Sequence, residues 1–113
     1  MRGIKGNVVG EIQINVATRN EIGEHVPSWT TIQTIQGFLD YITGETNRIN
    51  YNAKIQESTH VFVADYVALD FRIEAEKVRM IINHKIYDVT LIDNPMELNA
   101  QLEIYLKFVG GQK

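Results

Sequence analysis

The sequence predicts an all-β fold: one small domain closing as a β-barrel of about six strands, with one long mobile loop. Three observations carry this. Short runs rich in β-branched and aromatic residues recur along the chain, several with two-residue alternation. Turn residues separate them. The length of 113 residues suffices for one core and not for two.

The run Lys77–Asp93 reads most plainly, as a β-hairpin turning at Asn83-His84. Asn tolerates the left-handed backbone a tight hairpin turn needs; His is a weaker second turn residue than Gly. A two-residue turn there sets Ile82 opposite Lys85, Ile81 opposite Ile86, Met80 opposite Tyr87, Arg79 opposite Asp88 and Val78 opposite Val89. One face then holds Val78, Met80, Tyr87, Val89 and Leu91. A slip of one residue would separate Arg79 from Asp88 and set apolar residues against polar ones. Matched cross-strand pairs contribute about 0.2–1 kcal/mol each, so several positions favour this register together. A lone hairpin is marginal in water, so other strands must cover the apolar face.

Taken in order, residues 1–6 form a loose arm. Over residues 7–17, Val8, Ile12, Ile14 and Val16 share the buried face of a strand, with Gly10 as a bulge or bend. Residues 18–28 are polar, contain Gly23 and Pro27, and read as a loop. Residues 29–42 carry both signals. Ile32, Ile35, Leu39 and Ile42 have helical spacing, with Ser28 as a possible cap. The Thr, Ile and aromatic content and the interior Gly37 favour a long strand bent at that glycine. Residues 43–56 have no sustained apolar period and read as a loop, uncommonly long for a compact domain. Residues 58–66 alternate His60, Phe62, Ala64 and Tyr66 with Thr59, Val61, Val63 and Asp65. Residues 67–76 form a connection anchored by Leu69, Phe71 and Ile73. After the hairpin, Asn94-Pro95 opens a turn with room for a single helical turn. The last strand alternates most cleanly, with Leu102, Ile104, Leu106 and Phe108 inside. The single domain thus spans 1–113, with a core over 7–109 and flexible arms at 1–6 and 110–113.

Hydrophobic residues make up 44% and charged residues 22%, an ordinary globular composition. Without cysteine there is no disulfide, thiolate nucleophile or thiolate metal site. No apolar run approaches the ~18 residues of a membrane span, and no apolar region follows the basic start as in a signal peptide. The net charge of -3 and the scattered Lys and Arg argue against tight duplex binding.

Candidate chemistry is sparse. Glu21, Glu24 and His25 lack the second histidine of a zinc-protease helix and read as a solvated loop. Ser58 and His60 share a strand face within reach of each other, but no oxyanion hole or nucleophile elbow accompanies them. A hydrogen-bonded structural His60 is expected. His84 belongs to the turn. Asp65, Asp70 and Asp93 lack calcium-loop spacing. Trp29, Tyr41, Tyr51 and Tyr66 would suit an OB-like module stacking single-stranded nucleic acid, the alternative reading, but without its basic groove they read as core and interface aromatics. The residues therefore point to a binding or assembly role, with no enzymatic activity, no cofactor and no metal.

Several features in order carry a resemblance. Trp29-Thr-Thr-Ile-Gln-Thr-Ile-Gln-Gly37 leads into a polar loop. Glu57-Ser-Thr-His60 opens a strand ending in Asp65-Tyr66. Arg79-Met-Ile-Ile-Asn83 turns into Lys85-Ile-Tyr-Asp88. Leu91-Ile-Asp-Asn-Pro95 precedes a final alternating strand. From about Asn20 to Phe108 this order resembles the head-closure, or head–tail connector, proteins of long-tailed bacteriophages and related prophages. The chain departs from that family at His84, where Gly is usual.

The resemblance implies a small β-barrel and a structural virion protein, located at the head–tail interface and in host cytoplasm during assembly. Copies would form a homo-oligomeric ring, monomeric in isolation, below a portal or adaptor protein and above a tail terminator protein. The ring would close the filled capsid and touch packaged double-stranded DNA in passing. The loop that would line and gate the channel comprises Gly44, Glu45, Thr46, Asn47, Arg48, Ile49, Asn50, Tyr51, Asn52, Ala53, Lys54, Ile55 and Gln56. Val61, Val63, Tyr105 and Lys107, on the exposed strand faces, are the expected contacts between neighbours. No membrane partner is expected.

Overall fold

A computed structural model describes residues 6–42 and 53–111. Within them run the strands β1 (Val8–Asn15), β2 (Thr18–Arg19), β3 (His25–Val26), β4 (Trp29–Tyr41), β5 (His60–Asp65), β6 (Val78–Ile82), β7 (Lys85–Asp93) and β8 (Gln101–Gly110), with a short helix α1 (Ala53–Glu57) before β5. Six strands close a barrel in the order β1-β4-β5-β8-β7-β6, and β6 pairs back onto β1. Every pairing is antiparallel. Closure gives each barrel strand a paired neighbour on either side along part of its length.

The β6–β7 hairpin has the register its residues predict: Arg79 pairs with Asp88, Met80 with Tyr87, Ile81 with Ile86 and Ile82 with Lys85. Asn83 and His84 both hold positive φ, at 51° and 65°, as a primed two-residue turn requires. Val78, Met80, Tyr87 and Val89 point inward and are buried. Leu91 does not join them. The β7–β8 register shifts between Val89 and Leu91, so Thr90 bulges, and beyond it Ile92 packs on the core.

Residues 29–41 form one strand, as their β-branched content favours. Gly37 makes room for its neighbours. A Cβ there would collide with the Val63 carbonyl oxygen and come within 2.9 Å of the Phe62 ring. Gly10 is likewise a matter of space rather than a bulge, since a Cβ would sit 2.8 Å from Met80 Sδ. The irregularity lies further along, where Ile12 pairs with Gln33 but Gln13 with Thr31. The last strand buries Leu102, Ile104 and Leu106 as expected, whereas Phe108 is 42% exposed at the barrel mouth. Gly110, expected in a flexible arm, pairs with Ile86 inside β8.

The expected loop at 18–28 is a small ribbon. β2 pairs with β3, and Asn20 Oδ1 accepts hydrogen bonds from the backbone N–H of Ile22 and Glu24. In the expected loop at 44–56, residues 44–52 lie outside the described residues and 53–56 are helical. α1 rests on β7 and β8, and its Ile55 is buried. Of arm 1–6, only Gly6 is described; its carbonyl accepts from Gln36 Nε2 at 2.6 Å. Residues 95–97 make one short 3-10 turn after Asn94.

The two barrel ends differ. One is capped by the 66–77 connection, whose Leu69, Ile73 and Ala75 pack on the core. Phe71, expected as an anchor, is 90% exposed. Among the described residues the other end is open between the end of β4, the start of β5, the hairpin turn and the end of β8.

Two substitutions test this account by urea denaturation. Gly37→Ala should lower stability by about 1–3 kcal/mol through overpacking against Val63 and Phe62. His84→Gly should raise it by about 1 kcal/mol, because an exposed L-residue in the left-handed region costs about 1–2 kcal/mol and glycine removes most of that.

Candidate functional site

At the open end lies a cleft of about 350 Å³. β4 supplies Leu39, Asp40 and Tyr41 from its last turn of alternation, and β5 supplies His60 from its first residue. Asn83, Lys85 and Tyr87 come from the hairpin, and Phe108 from β8. Antiparallel pairing brings these positions together: Tyr41 lies opposite His60, and His60 opposite Leu106.

His60 is the hub of an aromatic cluster. Its ring centroid lies 4.5 Å from Tyr41, 5.1 Å from Tyr87 and 6.4 Å from Phe108. Tyr87 and Phe108 meet edge-on at 5.5 Å. Thr59 Oγ1 accepts the Phe108 backbone N–H at 2.8 Å and lies 2.8 Å from His60 Nδ1. Thr59 Oγ1 also donates to the Leu106 carbonyl at 3.4 Å. Burial, and then the charge of Lys85, lower the His60 pKa from its ordinary value. Burial raises the Tyr87 pKa, with Tyr41 adding to the effect. The cleft can thus offer ring faces, an ammonium and a carboxylate to a ligand.

His60 packs among these rings with Nδ1 against Thr59 Oγ1. Ser58 Oγ bonds Thr90 Oγ1, and Thr90 Oγ1 donates to the Tyr105 carbonyl at 3.0 Å. His25 is exposed on the β2–β3 ribbon and His84 in the hairpin turn. Among the described residues no group of three or more His, Asp or Glu could hold a metal ion. Asp70 forms a two-point pair with Arg72, Nε to Oδ1 and Nη2 to Oδ2, each at 2.9 Å. These bonds pull its carboxyl down to about 2.

Val61, Val63, Tyr105 and Lys107 lie together on the outside of neighbouring strands. Val61 pairs with Tyr105, Val63 with Glu103, and Lys107 with Asp88. Phe38, exposed on β4, pairs with Val63 and extends the apolar strip. Tyr105 donates to Glu103 Oε1 at 3.0 Å. Burial first, then that bond and the nearby Glu103 and Asp93 charges, push its pKa up to about 12.

The aromatic cleft is the feature sequence reasoning missed. Taken one by one, its rings read as core and interface residues. Each stands near a strand end, which is the signal available, but only strand order shows that these ends converge.

The chain matches no protein-family model and no curated protein. Among solved structures it is similar to the solution structure of protein SF1141 from Shigella flexneri 2a. The TM-score is 0.68 at 18% identity, over 96% of this chain and 97% of that one. The two share a small all-β fold along nearly their whole lengths; at that identity the likeness speaks for the fold alone.

The cleft predicts a pH response. The folded protein binds the His60 proton more weakly than the unfolded chain does, so stability is greatest above the ordinary histidine range and falls as pH drops through the lowered value. Denaturation midpoints should fall as pH drops below the ordinary histidine range, and His60→Phe should flatten that slope. The Asp70 contribution is lost only in the more acidic range toward about 2.

Proposed function

We propose that this protein is a structural subunit of a ring at the head–tail interface of a long-tailed bacteriophage or prophage, closing the filled head and receiving the tail. The observation that carries the reading is the strip of Phe38, Val61, Val63 and Tyr105 on the outside of a closed barrel. The barrel core is already complete without it. An apolar strip on an outer face suits contact with another protein, and copies around a ring would supply one. The resemblance from Asn20 to Phe108 names the setting. Portal or adaptor above, tail terminator below and DNA in the channel belong to this same reading.

Single-stranded nucleic-acid binding is the weaker reading. Tyr41 and Phe108 would stack bases, but the described lining of the cleft offers one cation, Lys85, beside one carboxylate, Asp40.

Electron microscopy of DNA-filled, tailless heads, with and without added protein, tests the ring. Added protein should place a ring on the portal vertex and slow DNA loss. Val61→Glu with Val63→Glu should reduce ring occupancy at least about tenfold while leaving the monomer folded. Unchanged heads after addition of the wild-type protein would refute the reading.

A further inference from the structure

The barrel wall has a gap at its open end. β1 stops at Val8, opposite Gly37, while β4 runs on to Tyr41. Among the described residues, Phe38, Leu39, Asp40 and Tyr41 pair with β5 on one side and with no strand on the other. Gly6, ahead of β1, does not lie along them. Its carbonyl is held by Gln36 Nε2, and a Cβ on it would fall on the Gly37 backbone. The Ile42 N–H donates to the Thr59 carbonyl at 3.0 Å. Backbone groups alternate sides along a strand, so Phe38 and Asp40 also turn theirs to β5, and Leu39 and Tyr41 turn theirs into the gap. Leu39 thus presents both an N–H and a carbonyl. Tyr41 presents its carbonyl, because its N–H donates to Asp40 Oδ1 at 3.2 Å.

The gap opens onto the ring-lined cleft. Leu39 packs on the core and Tyr41 lies on His60, so both side chains face inward. A residue paired opposite either of them would set its side chain on the same face. The hollow there, of about 350 Å³, is roughly twice the ~150 Å³ that accepts a benzene ring in a protein interior. Tyr41, 76% exposed, and Phe108, 42% exposed, leave ring surface bare beside it. Lys85, at the start of β7, lines the same hollow. Among the described residues its ammonium has no ion-pair partner.

We propose that this gap takes an extended strand of another protein, paired antiparallel to β4 where β1 leaves off. The residue opposite Leu39 exchanges two backbone hydrogen bonds with it, and the residue opposite Tyr41 donates to the Tyr41 carbonyl. Both of these residues face inward. One is aromatic and lies against Tyr41 and Phe108; the other is acidic and reaches Lys85. In strand addition of this kind the main-chain bonds supply affinity and the side-chain pocket supplies selectivity. The site goes beyond the ring reading. The outer strip uses outward side chains of β4, β5 and β8, whereas the added strand uses the in-plane backbone of β4 on the β1 side, so the two contacts draw on different groups.

The test is an NMR titration of the isotope-labelled full-length protein with two capped peptides, Thr-Phe-Thr-Glu-Thr and Thr-Glu-Thr-Phe-Thr. They carry the two inward residues in either order. At least one should move the amide signals of Leu39, Asp40, Tyr41 and Lys85 at concentrations up to about 5 mM. Methylating the backbone nitrogens of its Phe and Glu removes the donated hydrogen bonds and should weaken binding about fivefold or more. Lys85→Gln should weaken binding about threefold and abolish the preference for Glu over Gln in the peptide. No shift with either peptide, or a methylated peptide that binds as tightly as its parent, would overturn the site. DNA retention by heads plays no part in this measurement, so failure here and failure of the ring reading are told apart.

Discussion

Closing six antiparallel strands into a ring binds every strand to one parity. Each must keep alternate side chains inward where it is paired, with one neighbour and then the other. The seam where β6 returns to β1 shows what enforces this. Apolar residues pack inside, with Ile12 opposite Met80. Outside, Gln13 is 1% exposed, yet its amide is satisfied at both ends. It accepts from Arg79 Nε at 2.8 Å and donates to Thr31 Oγ1 at 3.0 Å, which in turn donates to Glu11 Oε1 at 3.1 Å. The Trp29 ring covers the Arg79 guanidinium at 4.3 Å. Burial lowers the Arg79 pKa while the Asp88 charge raises it. A buried amide stripped of partners costs about 1–3 kcal/mol, so β6, β1 and β4 fit together in few other registers.

Strict parity cannot be kept over strands this long, and two irregularities absorb the difference. In β4 the pairing skips Ile32, which lets Gln13 meet Thr31. In β7 Thr90 bulges, Ile92 beyond it packs on the core, and Thr90 itself is buried. Its hydroxyl then holds the chain leading into β5. Thr90 Oγ1 gives its proton to the Tyr105 carbonyl and so receives one from Ser58. The Ser58 N–H donates to the Ile55 carbonyl at 3.1 Å, which ties α1 to the same point. A geometric need of barrel closure thereby fixes where the returning segment rests.

What could be read in the sequence follows from the same physics. The hairpin was legible because a two-residue turn, an ion pair and an apolar pair all specify one register. The strand over 29–41 was legible because its β-branched and aromatic content outweighs its helical spacing. Leu91 and Phe108 were misplaced because alternation was carried past a bulge and past the barrel mouth, where inside and outside cease to differ. Bulges leave little trace, since Thr90 is an ordinary strand residue until β8 is placed beside it. The ribbon at 18–28 was hidden because Asn20 side-chain bonds, not apolar pattern, organise it. Most of the candidate site was illegible for a further reason. Tyr41, His60, Lys85 and Phe108 come from four strands whose order around the barrel no local pattern records.

The two ends of the barrel were finished by different means, and that difference gives the molecule a direction. At one end the chain spends twelve residues, 66–77, on a lid whose Leu69, Ile73 and Ala75 complete the core. At the other it buries a histidine instead, with Thr59 bonded to its ring and Tyr41 and Phe108 left partly bare. An apolar side chain in place of His60 would fill the mouth without desolvating an imidazole near Lys85. Keeping the imidazole leaves a hollow that is shaped and polar at its rim rather than a smooth cap. The two ends therefore present different chemistry, an exposed Phe71 at the capped end and partly bare Tyr41 and Phe108 at the other.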